Sequence, residues 1–316
     1  MAERVGGRGG EVLRAVLRHR DLRGRDDDDG DLLRFGLAFS AAAERDQRGG
    51  HEGAIAHEKI LPLRQAPSPM PESMTEAAPG FTPGPDWAAP GALFPAKGDV
   101  VLIAAPLDVP PERLSRLVDL LSPQERARYQ SFAHEQHRAR WGAARGTLRE
   151  VLGRATVRAP RDIAFLYAAH GKPRIEGLRF NLSHSGGLAL IALGQIEVGV
   201  DVELPRRRRS DAIARRFFAP GEQRRLFALG EAERYREFFR LWTCKEAFLK
   251  ATGEGLSRSL RSYEIELADA GARLLWAKGI PDAADRYSIH PLETGTACRA
   301  ALVAEGRVSL RKYRWP

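Results

Sequence analysis

Apolar and polar residues alternate through Val198-Gly199-Val200-Asp201-Val202-Glu203-Leu204, the period of two shown by a strand with one buried face. Asp201 and Glu203 are therefore predicted to project together from the polar face. From about Glu233 to Ala251 the period lengthens. Phe238, Leu241, Trp242, Phe248 and Leu249 fall at helical spacing, while Glu246 and Lys250, four apart, share another side of the helix. Gly253 and Gly255 supply stop signals after it.

The same patterns predict a buried strand at Val100–Ala104, a helix over about Glu112–Leu121 after Pro110-Pro111, and another starting at Ser122-Pro123-Gln124-Glu125. In this last segment Ser122 is the cap, Pro123 takes the first turn and an acid follows. A longer helix is expected from about Glu135 to Leu152. Strands follow at Ile163–Tyr167, Leu178–Leu182 and Leu188–Leu193, with Gly171-Lys172-Pro173 as a turn. After the acidic strand come a basic loop at Arg206–Arg209, helices over Asp211–Phe218 and Pro220–Leu229, and the long helix. Closing strands are predicted at Tyr263–Leu267, Arg286–His290, Ala297–Val303 and Val308–Tyr313. Helices mixed with few strands in each half give an α+β class with two comparable subdomains, 87–195 and 196–316.

Residues 1–86 differ in kind, with Gly-Arg clusters, the acid run Asp26–Asp29 and prolines at 67, 69, 71, 79, 83 and 85. Short amphipathic patterns at Glu11–Arg20 and Asp31–Ala43 are marginal as isolated helices. The expectation is a low-complexity, disordered or weakly helical extension, or an over-extended reading frame with translation starting at Met70 or Met74.

Composition narrows the partners. The 316 residues are 43% hydrophobic and 29% charged, and the formal net charge of +9 favours an anionic partner: nucleic acid, an acidic protein surface or a polyphosphate. Cys244 and Cys298 are the only cysteines, too few for a zinc cluster or disulfide framework, which suits a reducing cytoplasm. No apolar run approaches the roughly 20 residues of a membrane helix. No zinc spacing, helix-turn-helix or aromatic-basic RNA motif supports a nucleic-acid-binding role.

Paired carboxylates repel unless a cation or protons relieve them, and Mg²⁺ takes a few carboxylate oxygens together with waters and phosphates. Asp201, Glu203 and Glu246 therefore suit a hard metal, although acids on an exposed strand and a helical Glu-Lys pair are also common solvated features. Asn181-Leu182-Ser183-His184-Ser185-Gly186-Gly187, expected as a turn between apolar strands, suits close approach to phosphate oxygens or serves as an ordinary hairpin turn. Arg128, Arg140 and Arg145 read as anion contacts or as a solvated basic face.

Taken in order, Gly171-Lys172-Pro173, Phe180-Asn181-Leu182-Ser183-His184-Ser185, Gly199-Val200-Asp201-Val202-Glu203, and Phe239–Lys250 with Gly253-Glu254-Gly255-Leu256 resemble the 4'-phosphopantetheinyl transferase superfamily, in its long, Sfp-type branch. The resemblance spans about Trp87 to Leu267. It implies a monomer of two pseudo-symmetric α+β subdomains with coenzyme A in the cleft between them. It further implies transfer of the 4'-phosphopantetheine arm to a serine of an apo acyl or peptidyl carrier protein.

By this resemblance Asp201, Glu203 and Glu246 would hold Mg²⁺, or Mn²⁺, with the coenzyme A diphosphate. Lys172, Ser183 and His184 would contact phosphates, and Arg128 and Arg140 the adenosine 3'-phosphate. Lys245 and Lys250 would face the ligand or leaving group, and Glu246 would take the serine proton directly or through a water. Near Glu125, where some relatives carry a nucleotide-contacting lysine, this chain has an acid. A basic surface over Leu204–Arg216 is expected to dock the carrier. The rival expectation is a catalytically silent relative that binds carrier protein or coenzyme A.

Overall fold

The computed structural model describes residues 87–316 apart from 169, 206–209, 270 and 295–296. The expectations for residues 1–86 and for the basic loop Arg206–Arg209 lie outside the described residues.

The first half opens with β1 (Asp99–Pro106), followed by α1 (Pro111–Asp119), α2 (Pro123–Gln130) and α3 (Glu135–Thr156), then by short β2 (Leu166–Tyr167) and β3 (Pro173–Arg174), and by β4 (Arg179–Ser185) and β5 (Leu188–Gly194). The second half repeats this scheme with β6 (Val198–Glu203), α4 (Ser210–Phe217), α5 (Pro220–Phe227), α6 (Glu231–Thr252) and the strands β7 (Tyr263–Ala268), β8 (Gly271–Ala277), β9 (Tyr287–Leu292) and β10 (Arg299–Glu305). A one-turn helix, α7 (Ala283–Arg286), precedes β9, and β11 (Ser309–Arg314) ends the chain. The fold is α+β, and each half runs from a strand through three helices to further strands.

The sequence starts α2 and α5 in the same way. Ser122 accepts a hydrogen bond from the Glu125 N–H while Glu125 accepts from the Ser122 N–H, a reciprocal cap. At α5 Ala219 has no side-chain acceptor, so only the return bond forms, from the Ala219 N–H to Glu222 at 2.8 Å. Proline fills the first helical position of both.

Two sheets carry the strand order β11-β1-β5-β4 and β6-β10-β9-β8-β7. They pack face to face through Leu102, Leu190, Val200 and Leu302, all buried. The other face of the first sheet packs on α3 through Val101, Ile103, Leu148 and Val151, and the other face of the second on α6 through Phe248, Ile265 and Val303. The layers are thus helix, sheet, sheet, helix. Each fully buried Leu, Ile, Val or Phe contributes about 1.5–3 kcal/mol, so the central sheet pair unites the two halves.

Four local expectations change. The last strand, assigned by chain order to the second half, lies in the first sheet, where β11 runs parallel to β1 from Asp99↔Ser309 to Ala104↔Arg314. Ile163–Tyr167 is a strand only at Leu166–Tyr167, because Pro160–Asp162 forms a 3-10 turn before it. Arg286 is helical, so β9 begins at Tyr287. β8 was not expected; only Leu274 and Ala277 in it are buried, too few to show alternation. Among the described residues no helix is long and apolar enough to cross a membrane.

Candidate active site

The acidic strand is not open to solvent on its polar face. Its apolar residues Val198, Val200 and Val202 enter the core between the sheets, and the alternate residues face α6. A Cβ on Gly199 would lie 2.1 Å from the Ala247 carbonyl oxygen, so only glycine permits so close an approach. This seats Asp201 against the helix, 4% exposed. Asp201 Oδ1 accepts from Lys250 Nζ at 2.6 Å and from Ser183 Oγ at 3.0 Å. Its second oxygen, Oδ2, is buried with no hydrogen-bond partner among the described residues.

Around that orphan oxygen the carboxylates disfavour one another. Burial and the neighbouring Asp201 raise the Glu203 carboxyl to about 8, although Lys250 opposes the shift. Burial and Asp201 likewise raise Glu246 to about 7. Ser185 donates to Glu203 Oε2 at 3.2 Å. A buried acceptor left over, beside two carboxyls held back from ionising, fits a site that takes up further positive charge. Among the described residues no three acid, histidine or cysteine side chains already converge as a metal cage. Asp201 and Glu203 stand two residues, about 6.8 Å, apart along a strand, and Lys250 already sits on Asp201.

An open cleft lies beside these residues, with Arg145, Lys172, Phe180, Asn181, Glu246 and Lys250 in its lining. His184 is half-buried on β4. Burial, then Lys250 and Arg140, lower its imidazole to about 4, so it is neutral at pH 7. Arg140 gives a two-pronged bond to Asp108 at 2.7 and 2.8 Å. Arg128 is exposed on α2, its guanidinium 4.8 Å from the Phe132 ring centroid.

The two motif lysines of α6 part company. Lys250 reaches Asp201 and Ser183. Lys245 does not face the cleft: its side chain is fully buried and donates to both Glu222 oxygens, at 2.6 and 2.8 Å, and to the Tyr263 carbonyl. Five residues at 100° each set the two about 140° apart around the helix. Lys172 borders the cleft, yet its ammonium donates to Glu197 Oε2, the Val198 carbonyl and the Ala251 carbonyl at 2.7, 2.9 and 3.0 Å. Its three protons are thus engaged within the protein.

Ser183 and His184 lie on strand β4 rather than on a turn, which is confined to Gly186-Gly187. Local polarity concealed this because the polar groups of β4 are matched across the fold, to β6. The sequence expectation also missed Asn181, which accepts from the Val200 N–H, and Glu197, which holds Lys172 and Arg179. The Asn181, Ser183, Ser185 alternation was the available signal for the first. Arg145, lining the cleft, is bound to Glu125, as is Arg149 at 2.6 Å.

Residues 197–300 match the model of the 4'-phosphopantetheinyl transferase superfamily. The chain is 38% identical over 216 residues to the 4'-phosphopantetheinyl transferase HetI of Nostoc sp., an alignment covering 66% of this chain and 88% of that protein. The chain belongs to the 4'-phosphopantetheinyl transferase superfamily. Similarity to the transferase Sfp of Bacillus subtilis, 33% identical over 163 residues and covering 51% of this chain and 72% of that one, agrees with the Sfp-type branch. In this phosphopantetheinyl transferase the matched segment holds β6 and α6, and with them Asp201, Glu203, Glu246 and Lys250.

Proposed function

We propose that this transferase moves the 4'-phosphopantetheine arm of coenzyme A onto a serine of an apo acyl or peptidyl carrier protein, leaving the holo carrier and adenosine 3',5'-bisphosphate. The observation that carries the proposal is the pairing of the buried, unpartnered Asp201 Oδ2 with the raised carboxyls of Glu203 and Glu246 beside the cleft. These three acids would hold Mg²⁺, or Mn²⁺, which would supply charge neutralisation at the diphosphate. The fit rests on the donor set, all hard carboxylate oxygens.

The chain's own groups account for the rest of the chemistry. The serine oxygen forms a bond to the phosphorus bearing the pantetheine, and the bond from that phosphorus to the bisphosphate breaks. Glu246, raised to about 7 by burial and Asp201, accepts the serine proton directly or through a water. Lys250 meets the charge on the departing phosphate; its ammonium already lies 2.9 Å from Ser183 and 2.6 Å from Asp201. His184, neutral at pH 7, acts as a hydrogen-bond donor to phosphate rather than as a cation. Arg140 and Arg128 are assigned to the adenosine 3'-phosphate.

The carrier docks on basic surface beside the acidic strand. Within the expected Leu204–Arg216 stretch, Arg215 and Arg216 are exposed on α4. Raising salt therefore increases the Michaelis constant for the carrier. A monomer in a reducing cytoplasm suits a chain that contains both halves and whose two cysteines are buried. The decisive assay mixes purified protein, coenzyme A, Mg²⁺ and apo carriers of several kinds and weighs the carriers. The pantetheine mass increase supports the proposal. Binding of coenzyme A or carrier without that increase establishes the silent relative instead.

A further inference from the structure

Among the described residues, strand β6 has β10 on one side and no strand hydrogen-bonded on the other, and β4 is likewise an edge of its sheet. Unpaired backbone N–H groups inside a protein need acceptors. Here side chains of β4 provide them at every second residue. Asn181 Oδ1 accepts from the Val200 N–H at 2.8 Å, Ser183 Oγ from Val202 at 3.3 Å, and Ser185 Oγ from Leu204 at 3.0 Å. Each rung joins residues separated by 19 positions. The strands therefore run in the same direction, joined edge to edge by side chains in place of a backbone ladder.

The rungs differ in one respect. A serine hydroxyl accepts an N–H and still has its own proton to give. Ser183 gives it to Asp201 at 3.0 Å and Ser185 gives it to Glu203 at 3.2 Å, in each case the residue just before the N–H it accepts. The Asn181 rung lies opposite Gly199, which has no side chain, where α6 approaches closest. Asn181 thus bonds to the backbone of β6 rather than to an acid, and its amide oxygen holds the start of the strand that carries two of them.

We propose that Asn181 is a positioning residue: by accepting the Val200 N–H it sets the register of β6 against β4, and with it the placement of Asp201 and Glu203 relative to His184, Lys250 and Glu246. The proposal rests on the transferase reading for its kinetic consequence, and on the ladder alone for its structural one. A small slip of the strand would leave the cleft intact but misalign the acids, and misplacement of about 1 Å can lower a rate about a hundredfold.

The test compares Asn181→Leu, similar in size without an acceptor, with Asn181→Asp, which keeps the acceptor oxygen. Two readouts are taken, amide hydrogen exchange at Val200 and steady-state transfer from coenzyme A to an apo carrier. In Asn181→Leu, exchange at Val200 should rise at least about tenfold and kcat fall about 10- to 100-fold, with the KM for coenzyme A within about threefold. Asn181→Asp should restore Val200 protection. Unchanged Val200 exchange in Asn181→Leu overturns the proposal, as does a rise in KM with Val200 protection intact, which would make Asn181 a direct substrate contact. If Asn181→Leu does not fold, Ser185→Ala read at the Leu204 amide decides in the same way whether the rungs hold β6. Wild-type protein that transfers nothing overturns the proposed function instead, and the exchange comparison still judges the ladder.

Discussion

The two halves of the molecule use the same parts and put them to different ends. Each has a 22-residue helix, α3 and α6, lying on its sheet. Each has, just before it in space, a proline-started helix whose third residue is a buried glutamate gripping cations of the long helix: Glu125 with Arg145 and Arg149, Glu222 with Lys245. The contrast lies on the first strand. The helix-facing residues of β1 are Val101, Ile103 and Ala105, all in the core; those of β6 are Gly199, Asp201 and Glu203. The first half thus completes a core where the second keeps unbalanced charge. Lys245 on α6 is the counterpart of a structural arginine, whereas Lys250 pairs with Asp201, whose second oxygen has no hydrogen-bond partner among the described residues.

The sharpest way to break this comparison is to exchange the roles of the two strands. Asp201→Ala should lower transfer roughly 100- to 1,000-fold while the melting temperature changes by only a few degrees. Ile103→Asp, at the matching face of β1, should bury an unpaired carboxylate and cost about 4 kcal/mol or more. Carrier mass spectrometry and thermal melts measure both. Loss of fold in Asp201→Ala, or a stable Ile103→Asp protein, would remove the distinction.

Next in size is the buried pair of the second half. Glu222→Gln leaves Lys245 without its counter-charge and should cost about 3–5 kcal/mol, read from denaturant midpoints, with kcat of the folded fraction unchanged. A drop in kcat at unaltered stability would return Lys245 to the active site.

The first-half pair should show itself through pH. Burial pushes the Glu125 carboxyl up, but Arg145, the Ser122 N–H and Arg149 outweigh it and hold the carboxyl below 4.5. A carboxyl lowered in the folded state stabilises fully above its unfolded value and loses that contribution as the pH falls through the folded value. Glu125→Gln should therefore cost about 3 kcal/mol at pH 7, and its deficit relative to wild type should shrink towards pH 3. Urea unfolding at the two pH values checks this; a deficit independent of pH excludes the ion pair as its source.

The smallest effect concerns how the two long helices stop. Both end in a left-handed residue, Val157 with φ 55° after α3 and Gly253 with φ 72° after α6. Glycine takes this conformation freely, whereas a side chain pays about 1 kcal/mol or more. Val157→Gly should raise the melting temperature by about 2–4 °C. Gly253→Val should lower it by more, because a Cβ there would also meet Lys172 Cδ at 3.2 Å.

Most of the scaffold was legible because its signals are local. The alternation at Val198–Leu204, the Ser122-Pro123-x-Glu125 start and the glycines after Ala251 each declare an element within a few residues. What escaped depends on distant partners. Asn181, Ser183 and Ser185 look like turn residues until β6, 19 positions later, is seen to need acceptors. Lys172 looks like a phosphate ligand until the carbonyl of Ala251, 79 positions away, is found on its ammonium. Lys245 was a miss that the sequence could have corrected from a single helix, since its angle around α6 already separates it from Lys250.

The return of β11 to the first sheet governs the order in which the chain can be completed. Trp315 packs into the core beneath α3, and its backbone N–H bonds the Ala104 carbonyl at 2.8 Å. During synthesis the opening half therefore waits for residues some two hundred positions downstream before its outer strand is laid down. Contacts of such long sequence separation slow folding. The nascent first half leaves the ribosome with an unsealed strand edge, open to capture by a chaperone or another chain until the final strand emerges.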